Sequence, residues 1–484
     1  MLLLAGPARA ADNRPNLVLF CINNLRADRV GCYGYDRPTT PALDRVARGG
    51  TLFGNAFAQS TGTLPSFASI FTSLYPTAHH VGAGNRYLDA SPTTLASIFA
   101  ANGYRTAAFV GGGHLHHLFG LQRGFDTYRD EAMFGSFCDT IPPALQWLDR
   151  PQAPGPEARR PFFLVVQGYD VHCPWTPPLG FAERFDPLYS GPVHTAGLLS
   201  NLDTVGWLGN RVRAGPLEPE RMGKLVARYQ APLIPSVQAA GAGASPAATA
   251  PVEPGVAGEL QLSAADVAHL GAHYDGALSY ADAWLDHFTS SLEAHGLADK
   301  TVLVVLSPHG EELGEGGLWS HAMDVTDREM HVPLVLAGPG VAAGRRVTEV
   351  VELIDLGPTL LELCGIRACG AHQGVSFRSQ LGADGARRGV PTDRAAFCLA
   401  SGRAAARTAR WHFMVDDAAR VALFDVGASC SDMTNVAAEH PDVVAMLKSR
   451  VGEWFEKTWR QPRGLRVQPE GRSGRFFGRS GYWW

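Results

Sequence analysis

The run NLVLFCI, residues 16–22, decides the fold class, because it is short, almost wholly apolar and punctuated on both sides. This pattern is typical of a strand buried on both faces of a sheet. It recurs in RTAAFV (105–110), PFFLVVQGY (161–169), TVLVVLS (301–307) and VPLVLAGPG (332–340). The clearest of the intervening helical patterns runs from Asp266 to His295, with a Ser263–Asp266 capping box before it and Gly296 after it. The alternation predicts an α/β fold with a mostly parallel central sheet flanked by helices.

The pattern of apolar runs in the sequence changes after about residue 375. Short strand-like runs (RAAFCLA, ARWHFMVD, VALFDV) precede a helical run, PDVVAMLKSRVGEWFEKTW. We predict a small C-terminal α+β subdomain at residues 376–484, with a basic, aromatic tail at 471–484. Residues 12–375 are predicted to form the α/β domain, and the Ala-, Gly- and Pro-rich segment 231–260 is predicted to be a surface insertion in it.

Bulk composition excludes some partners and indicates a compartment. The 484 residues carry a net charge of −4 and a pI of about 6.5, which argues against nucleic acid or an anionic membrane as partner. No run is long and apolar enough to span a membrane. Residues 1–11, with an Ala8-Arg9-Ala10 cleavage pattern, are predicted to be the remnant of a secretory signal, and an ordinary apolar leader is the alternative. We therefore expect a periplasmic or secreted protein, in which eight cysteines allow disulfides but select no pair.

Several stretches, taken in order, carry a family resemblance. They are RPNLVLFCINNLRADRVGCYGYDRPTTPALDRVARGGTLFGNAFAQSTGTLPSFASIFTSLYPTAHHVG, GYRTAAFVGGGHLHHLFGLQRGFDTY, YDVHCPWTPP, SPHGEELGEGGLWSH, VPLVLAGPG, VELIDLGPTLLELCGI and ALFDVGASCSDMTNVAAEHP. Together they resemble the sulfatases of the alkaline-phosphatase-like superfamily, over about residues 14 to 455. The resemblance implies a divalent cation, usually calcium, held by carboxylates. It also implies a nucleophile on that ion, and basic side chains around the sulfate or phosphate group.

The metal positions implied by the resemblance have lost their carboxylates. Asn23 and Asn24 follow the first strand where the family has aspartates, and Pro308-His309 stands where the family has aspartate followed by histidine or asparagine. An asparagine carbonyl ligates calcium without charge and proline offers no side-chain donor, so affinity for the ion should fall steeply. We predict a degenerate site with no cation at full occupancy, and calcium, magnesium or zinc if the site is active.

Thr63, in GTLPSF (62–67), occupies the nucleophile position implied by the resemblance, where a strand is expected to end and a helix to begin. A metal would be needed to lower the pKa of its hydroxyl, and threonine cannot become formylglycine because oxidation of a secondary alcohol gives a ketone. A helix N-cap is the structural alternative. The resemblance also implies that His114, His172 and His321 line the site.

Other polar residues near these positions have simpler interpretations. His114, His116 and His117, with His309 and His321, form a loose candidate for zinc whose spacing fits no known motif. Asp170 is placed to orient His172. Glu311, Glu312 and Glu315 are interpreted as loop or helix-start charges.

Three hypotheses of function follow from these residues. The first is a non-catalytic binding or partner subunit that holds a sulfated or phosphorylated ligand. The second is a metal-dependent hydrolase or transferase of sulfate or phosphate esters that uses Thr63. The third is a purely structural subunit, and a partner chain that completes the site is compatible with any of them.

Overall fold

The structure is a computed structural model. It describes residues 13–82, 85–132, 134–149, 160–173, 175–191, 262–322, 324–367, 372–382, 393–427 and 434–459. The signal-peptide remnant at 1–11, the insertion at 231–260 and the aromatic tail at 471–484 lie outside the described residues. The predicted domain boundary near residue 375 stays a prediction.

An eight-stranded sheet forms the centre of the described fold. Its strands are β1 (Asn16–Ile22), β2 (Gly50–Phe57), β3 (Arg105–Phe109), β4 (Thr127–Arg129), β5 (Phe162–Gly168), β6 (Thr301–Leu306), β9 (Leu334–Ala337) and β10 (Arg345–Glu352), in the order β10-β2-β9-β6-β1-β5-β3-β4. Neighbouring strands are parallel, except that β9 runs antiparallel to β2 and β6. The predicted α/β class with a mostly parallel sheet is confirmed.

Helices cover both faces of this sheet, as the continuously apolar strands require. Along β1, the side chains of Leu17 and Leu19 pack into the main hydrophobic cluster. On the other face, the Phe20 ring stacks on Phe137 at 4.5 Å between centroids and lies 5.7 Å from Phe288. Successive side chains of a strand point to opposite faces of the sheet, so a continuously apolar strand is buried on both faces.

The described helices have the following bounds: α1 (Pro41–Arg48), α2 (Thr63–Thr72), α3 (Pro76–His79), α4 (Leu95–Ala101), α5 (Phe137–Asp149), α6 (Ala264–Ala294), α7 (Asp327–Met330), α8 (Leu356–Leu363) and α9 (Pro441–Thr458). The predicted capping box of α6 is confirmed, because the Ser263 amide donates to Asp266 and the Asp266 amide donates back to the Ser263 hydroxyl. Gly296 ends this segment with φ 62°. No described helix has the length and apolarity that a bilayer crossing requires.

The C-terminal part forms the predicted small α+β layer. Four antiparallel strands run in chain order, β11 (Ala396–Ala400), β12 (Arg403–Arg407), β13 (Trp411–Asp416) and β14 (Val421–Asp425). Helix α9 packs on them, with the Trp454 ring stacked on Phe397 at 5.1 Å between centroids. Strand β12 was not anticipated from its sequence, RAAAR, because alanine is depleted in strands.

The chain divides into two compact units. The first takes its described residues from Met1–His172, Ala277–Glu311 and His321–Trp484, and contains both sheets above. The second takes them from Cys173–Gly276 and Glu312–Ser320 and contains the hairpin of β7 (Glu312–Leu313) and β8 (Trp319–Ser320). Its Trp175 ring packs against Tyr274 and Trp319. Six cysteines in the described part of the chain are not joined by disulfides: Cys21, Cys32, Cys138, Cys173, Cys364 and Cys398.

Candidate functional site

The sheet brings the predicted site residues together at the carboxyl ends of its central strands. Strand β1 pairs with β6 in a register that places Cys21 beside Leu306. Asn23 and His309, which follow those two strands, therefore emerge side by side. Thr63 is the first residue of α2, which follows β2.

The Thr63 side chain does not cap its helix. Gly62 is the N-cap residue of α2 and no side-chain cap is present, so the N-cap interpretation is wrong. The Thr63 Oγ1 atom instead accepts a hydrogen bond from Asn23 Nδ2 at 3.1 Å and lies 3.0 Å from His309 Nε2. All three residues are buried, with Thr63 only 1% exposed. The hydroxyl is thus held between two side chains from neighbouring strand ends.

The direction of the Thr63–His309 hydrogen bond follows from the environment of His309. Burial lowers the pKa of His309 to about 3, so the ring is neutral near pH 7. Its Nδ1 lies 2.9 Å from the Gly310 carbonyl, which can only accept, so Nδ1 carries the proton. Nε2 therefore has a lone pair and accepts from the Thr63 hydroxyl.

The two asparagines at the predicted metal positions are hydrogen-bonded to each other. Asn23 Nδ2 donates to Asn24 Oδ1 at 2.6 Å, and Asn24 Nδ2 donates to Glu311 Oε2 at 2.8 Å. Glu311 lies in a loop, as interpreted, but it is fully buried rather than exposed to solvent. The sequence placed it two residues after His309 and did not show its contact with Asn24.

The donor set does not fit a calcium or magnesium ion. These hard cations take several anionic oxygens, and their affinity depends on the number of charged ligands. Here Glu311 supplies one carboxylate, Asn23 and Asn24 supply neutral amides, and Pro308 supplies nothing from its side chain. Asn23 Oδ1 is the one buried oxygen of these amides that has no hydrogen-bond partner, and it brings no charge. No reaction step is therefore derived through a divalent ion at these positions.

Further histidines complete the Thr63 pocket, which we define as Asn23, Asn24, Thr63, His114, His172, His309, Glu311 and His321. The His309 and His321 rings stack at 4.4 Å between centroids, and His321 Nε2 lies 3.1 Å from His172 Nε2. His321 Nδ1 lies 3.2 Å from the Thr61 carbonyl, and burial lowers the pKa of His321 well below its usual value. The neutral His321 ring thus donates to Thr61 through Nδ1 and accepts from His172 through Nε2.

His114 links this pocket to the guanidinium of Arg86. Arg86 Nη2 donates to His114 Nε2 at 3.0 Å. Burial, then the charge of Arg86 and the neighbouring His172, lower the pKa of His114 to about 4. The Phe134 ring lies 6.0 Å from His114 and 5.7 Å from His172, measured between centroids.

The looser zinc candidate does not form as one cluster. His116 and His117 group instead with Asp130, whose Oδ2 lies 2.9 Å from His117 Nδ1.

Asp170 does not orient His172 as predicted. Its Oδ2 accepts a hydrogen bond from the Phe137 amide at the start of α5, and burial raises the pKa of Asp170 to about 7.

Comparisons with known proteins agree with this fold. Residues 15–366 match the family model Sulfatase. Arylsulfatase K of Bos taurus is 22% identical over 505 residues, which cover 93% of this chain and 85% of that protein. Choline-sulfatase of Rhizobium meliloti is 32% identical over 173 residues, which cover 35% of this chain and 33% of that protein.

Solved structures show the same fold at low sequence identity. A protein in complex with its substrate D-glucosamine-2-N,6-O-disulfate has a TM-score of 0.69 at 18% identity, covering 92% of this chain and 98% of its own. The phosphonate monoester hydrolase of Agrobacterium radiobacter has a TM-score of 0.68 at 20% identity, covering 92% of this chain and 96% of its own.

Proposed function

This chain belongs to the sulfatase family, and from that premise we propose that it is a binding member of the family, which holds a sulfated or phosphorylated ligand without cleaving its ester bond. One observation carries the proposal. At the positions matched to the family's metal ligands and nucleophile, Asn23, Asn24, Thr63 and His309 form a buried hydrogen-bond network of uncharged side chains.

The chemistry of Thr63 supports the loss of ester cleavage. A threonine hydroxyl is a weak nucleophile unless a metal or a strong base removes its proton. The donors around Thr63 do not suit a divalent ion, and His309, with its pKa near 3, is a weak base at neutral pH. Only 1% of Thr63 is exposed, which leaves little room for a substrate atom to reach Oγ1.

The side chains beside the network support anion binding. Arg86 carries a permanent charge, and its planar guanidinium suits sulfate and phosphate oxygens. Because His114 Nε2 accepts from Arg86, the neutral ring of His114 presents its Nδ1 hydrogen as a second donor. The structural neighbour with a disulfated glucosamine substrate supports a sulfated sugar as the first ligand class to test. A periplasmic or secreted location and a protein partner remain predictions.

Calorimetry tests the proposed binding directly. We expect the protein to bind D-glucosamine-2-N,6-O-disulfate and not D-glucosamine. The Arg86→Ala variant should lose at least tenfold in affinity, since a charge-assisted hydrogen bond to an oxyanion contributes about 1.5–3 kcal/mol. Arg48→Ala, on the exposed face of α1, is the matched control and should bind normally. Equal binding of the two sugars, or none of either, would contradict the proposal.

A second candidate, an ester hydrolase or transferase, rests on one specific observation. The Thr63 hydroxyl donates to His309 Nε2 at 3.0 Å, which is the geometry of a nucleophile paired with a general base. A histidine base alone supplies roughly 10²–10⁴-fold acceleration. Hydrolysis of aryl sulfates or phosphate esters that disappears in Thr63→Ala would establish this candidate. Under the binding proposal, turnover is absent from both proteins, and stoichiometric calcium, magnesium or zinc is absent from the Thr63 pocket.

A further inference from the structure

A second group of side chains that could bind a metal ion is formed by the loop after β3 and the residue that follows β4. We define the His116 cluster as His116, His117 and Asp130. One ligand atom from each residue can be chosen so that all three atoms lie within 4.8 Å of one another. Asp130 Oδ2 lies 2.9 Å from His117 Nδ1 and 3.9 Å from His116 Nε2. Among the described residues, this is the one such group of histidine, cysteine and acidic side chains.

Short-range contacts hold the carboxylate of the cluster in place. Asp130 directly follows β4, and its Oδ2 also accepts a hydrogen bond from the His117 amide at 2.5 Å. The Asp130 side chain is only 10% exposed, whereas those of His116 and His117 are 38% and 52% exposed. The carboxylate is therefore fixed at the base of the cluster, and the two rings leave one side open to solvent.

We propose that the His116 cluster binds a transition-metal ion of the zinc class. Two imidazole nitrogens and one carboxylate oxygen are ligands that zinc accepts, with water in the fourth position of a tetrahedral site. The proposed ligand atoms are His116 Nε2, His117 Nδ1 and Asp130 Oδ2, because both ring nitrogens lie near the same carboxylate oxygen. This site is separate from the family's metal positions at Asn23, Asn24 and His309, and the proposal does not depend on the proposed binding function.

Coordination requires two local adjustments. The proton between His117 Nδ1 and Asp130 is replaced by the ion, and His117 carries its proton on Nε2 instead. His116 Nδ1 now accepts a weak, 3.3 Å hydrogen bond from the Leu118 amide, and this bond is given up when Nε2 coordinates and Nδ1 carries the proton. The other atoms of these two rings keep their positions.

The site has a structural consequence for the loop. His114 lies two residues before His116, so an ion on the cluster ties the loop that carries His114 to the end of β4. The expected effect is an ordering of this segment, because the ion adds bonds between residues of the loop and Asp130. Zinc should therefore raise the thermal midpoint of the whole protein through linkage between binding and folding.

Zinc titration of the full chain, prepared without a polyhistidine tag and stripped with chelator, tests the proposal. We expect one equivalent of Zn²⁺ to bind with a micromolar or tighter Kd, and Co²⁺ in its place to give the visible absorption of a four-coordinate ion. His117→Gln and His116→Gln should each weaken zinc binding at least tenfold. His287→Gln, which replaces an exposed histidine of α6, should bind as the unchanged protein does.

Each alternative outcome has a definite meaning. If zinc does not bind at 1 mM, or if it binds equally well to both cluster variants, the proposal is overturned. If binding is lost in His321→Gln and kept in His117→Gln, the ion belongs to the Thr63 pocket, which also overturns it. Because both cluster histidines are partly exposed, their glutamine variants should remain folded, and a circular dichroism melt checks this.

Discussion

The Thr63 pocket and the cluster around Arg394 both bury polar side chains in the first unit, but they handle charge in opposite ways. In the pocket, the hydrogen-bonded groups of Asn23, Asn24, Thr63 and His309 are uncharged amides, a hydroxyl and an imidazole. In the other cluster, the Arg394 guanidinium contacts Glu352 Oε2 at 2.6 Å and Asp355 Oδ2 at 2.5 Å, and both acids are buried. The Tyr75 hydroxyl and the Phe397 amide donate to Glu352 as well.

The two regions differ in whether the chain itself supplies a positive charge to its buried carboxylates. An ionised carboxylate in a protein interior is stable only with an opposite charge and hydrogen bonds. At Arg394 the cation is part of the chain, so both acids are retained. In the pocket a cation would have to come from solution, and positions 23, 24 and 308 hold two asparagines and a proline, none of which carries a negative charge. The remaining acid, Glu311, accepts a hydrogen bond from Asn24.

Removing the positive charge of the Arg394 cluster should have the largest effect on stability. Arg394→Met leaves Glu352 and Asp355 buried without their cation, which should lower the free energy of unfolding by about 3–5 kcal/mol. Urea denaturation measures the change, with exposed Arg48→Met as control. The triple variant Glu352→Gln, Asp355→Asn, Arg394→Met should regain part of the loss. A triple variant less stable than the single one would contradict the comparison.

The neutral state of the pocket should make the protein sensitive to acid. Burial holds the pKa of His309 at about 3, below its ordinary value of 6.5, so below pH 6.5 the unfolded chain takes up a proton that the folded chain refuses. The contribution of neutral His309 to the free energy of unfolding is therefore fully present above pH 6.5. It falls towards pH 3 by about 1.4 kcal/mol per pH unit, which amounts to about 3 kcal/mol by pH 4. Urea unfolding between pH 7 and 4 should show a shallower slope for His309→Gln. Equal slopes in the two proteins would mean that His309 is charged in the fold.

Restoring charge to the pocket should restore its need for a cation. In Asn23→Asp with Pro308→Asp, two added carboxylates join Glu311, so the protein should be destabilised in chelator and stabilised by calcium. Calcium at 100 times its Kd would add about 2.7 kcal/mol. Thermal melts with and without 5 mM calcium, a concentration on the order of weak calcium sites, measure this. The control Asn23→Gln with Pro308→Asn should not respond, and a response of the unchanged protein would argue against a degenerate site.

Removing the Thr63 hydroxyl should have the smallest effect. Thr63→Val keeps the shape but leaves the Asn23 amide and His309 Nε2 without this partner, which should reduce stability by about 1–2 kcal/mol. Thr63→Ser keeps the hydroxyl and should change stability by less than about 1 kcal/mol. Urea denaturation distinguishes them. If valine is tolerated as well as serine, the hydrogen bonds of Thr63 contribute nothing to the fold.

Much of the architecture could be predicted because apolar periodicity reports burial directly. The five predicted buried runs correspond to β1, β3, β5, β6 and β9, and the Ser263–Asp266 box begins α6. Strand β12 was missed because its alanines carry little strand preference. The N-cap alternative for Thr63 was wrong because the hydroxyl bonds to Asn23 and His309, which are distant in sequence and lie outside its helix.

The sequence by itself determined which runs form buried strands, and that Asn23 and His309 each follow the carboxyl end of one of them. The pairing of β1 with β6, which makes those two ends neighbours, was decided by the tertiary structure. The sequence also determined that positions 23, 24 and 308 have no carboxylate. Only the tertiary structure decided which groups bond to one another: Thr63 to His309 across 246 residues, Asn24 to Glu311 across 287, and His117 rather than His114 to Asp130. The physical reason is that a strand or helix pattern depends on neighbouring residues, whereas a side-chain hydrogen bond depends on how separate elements approach.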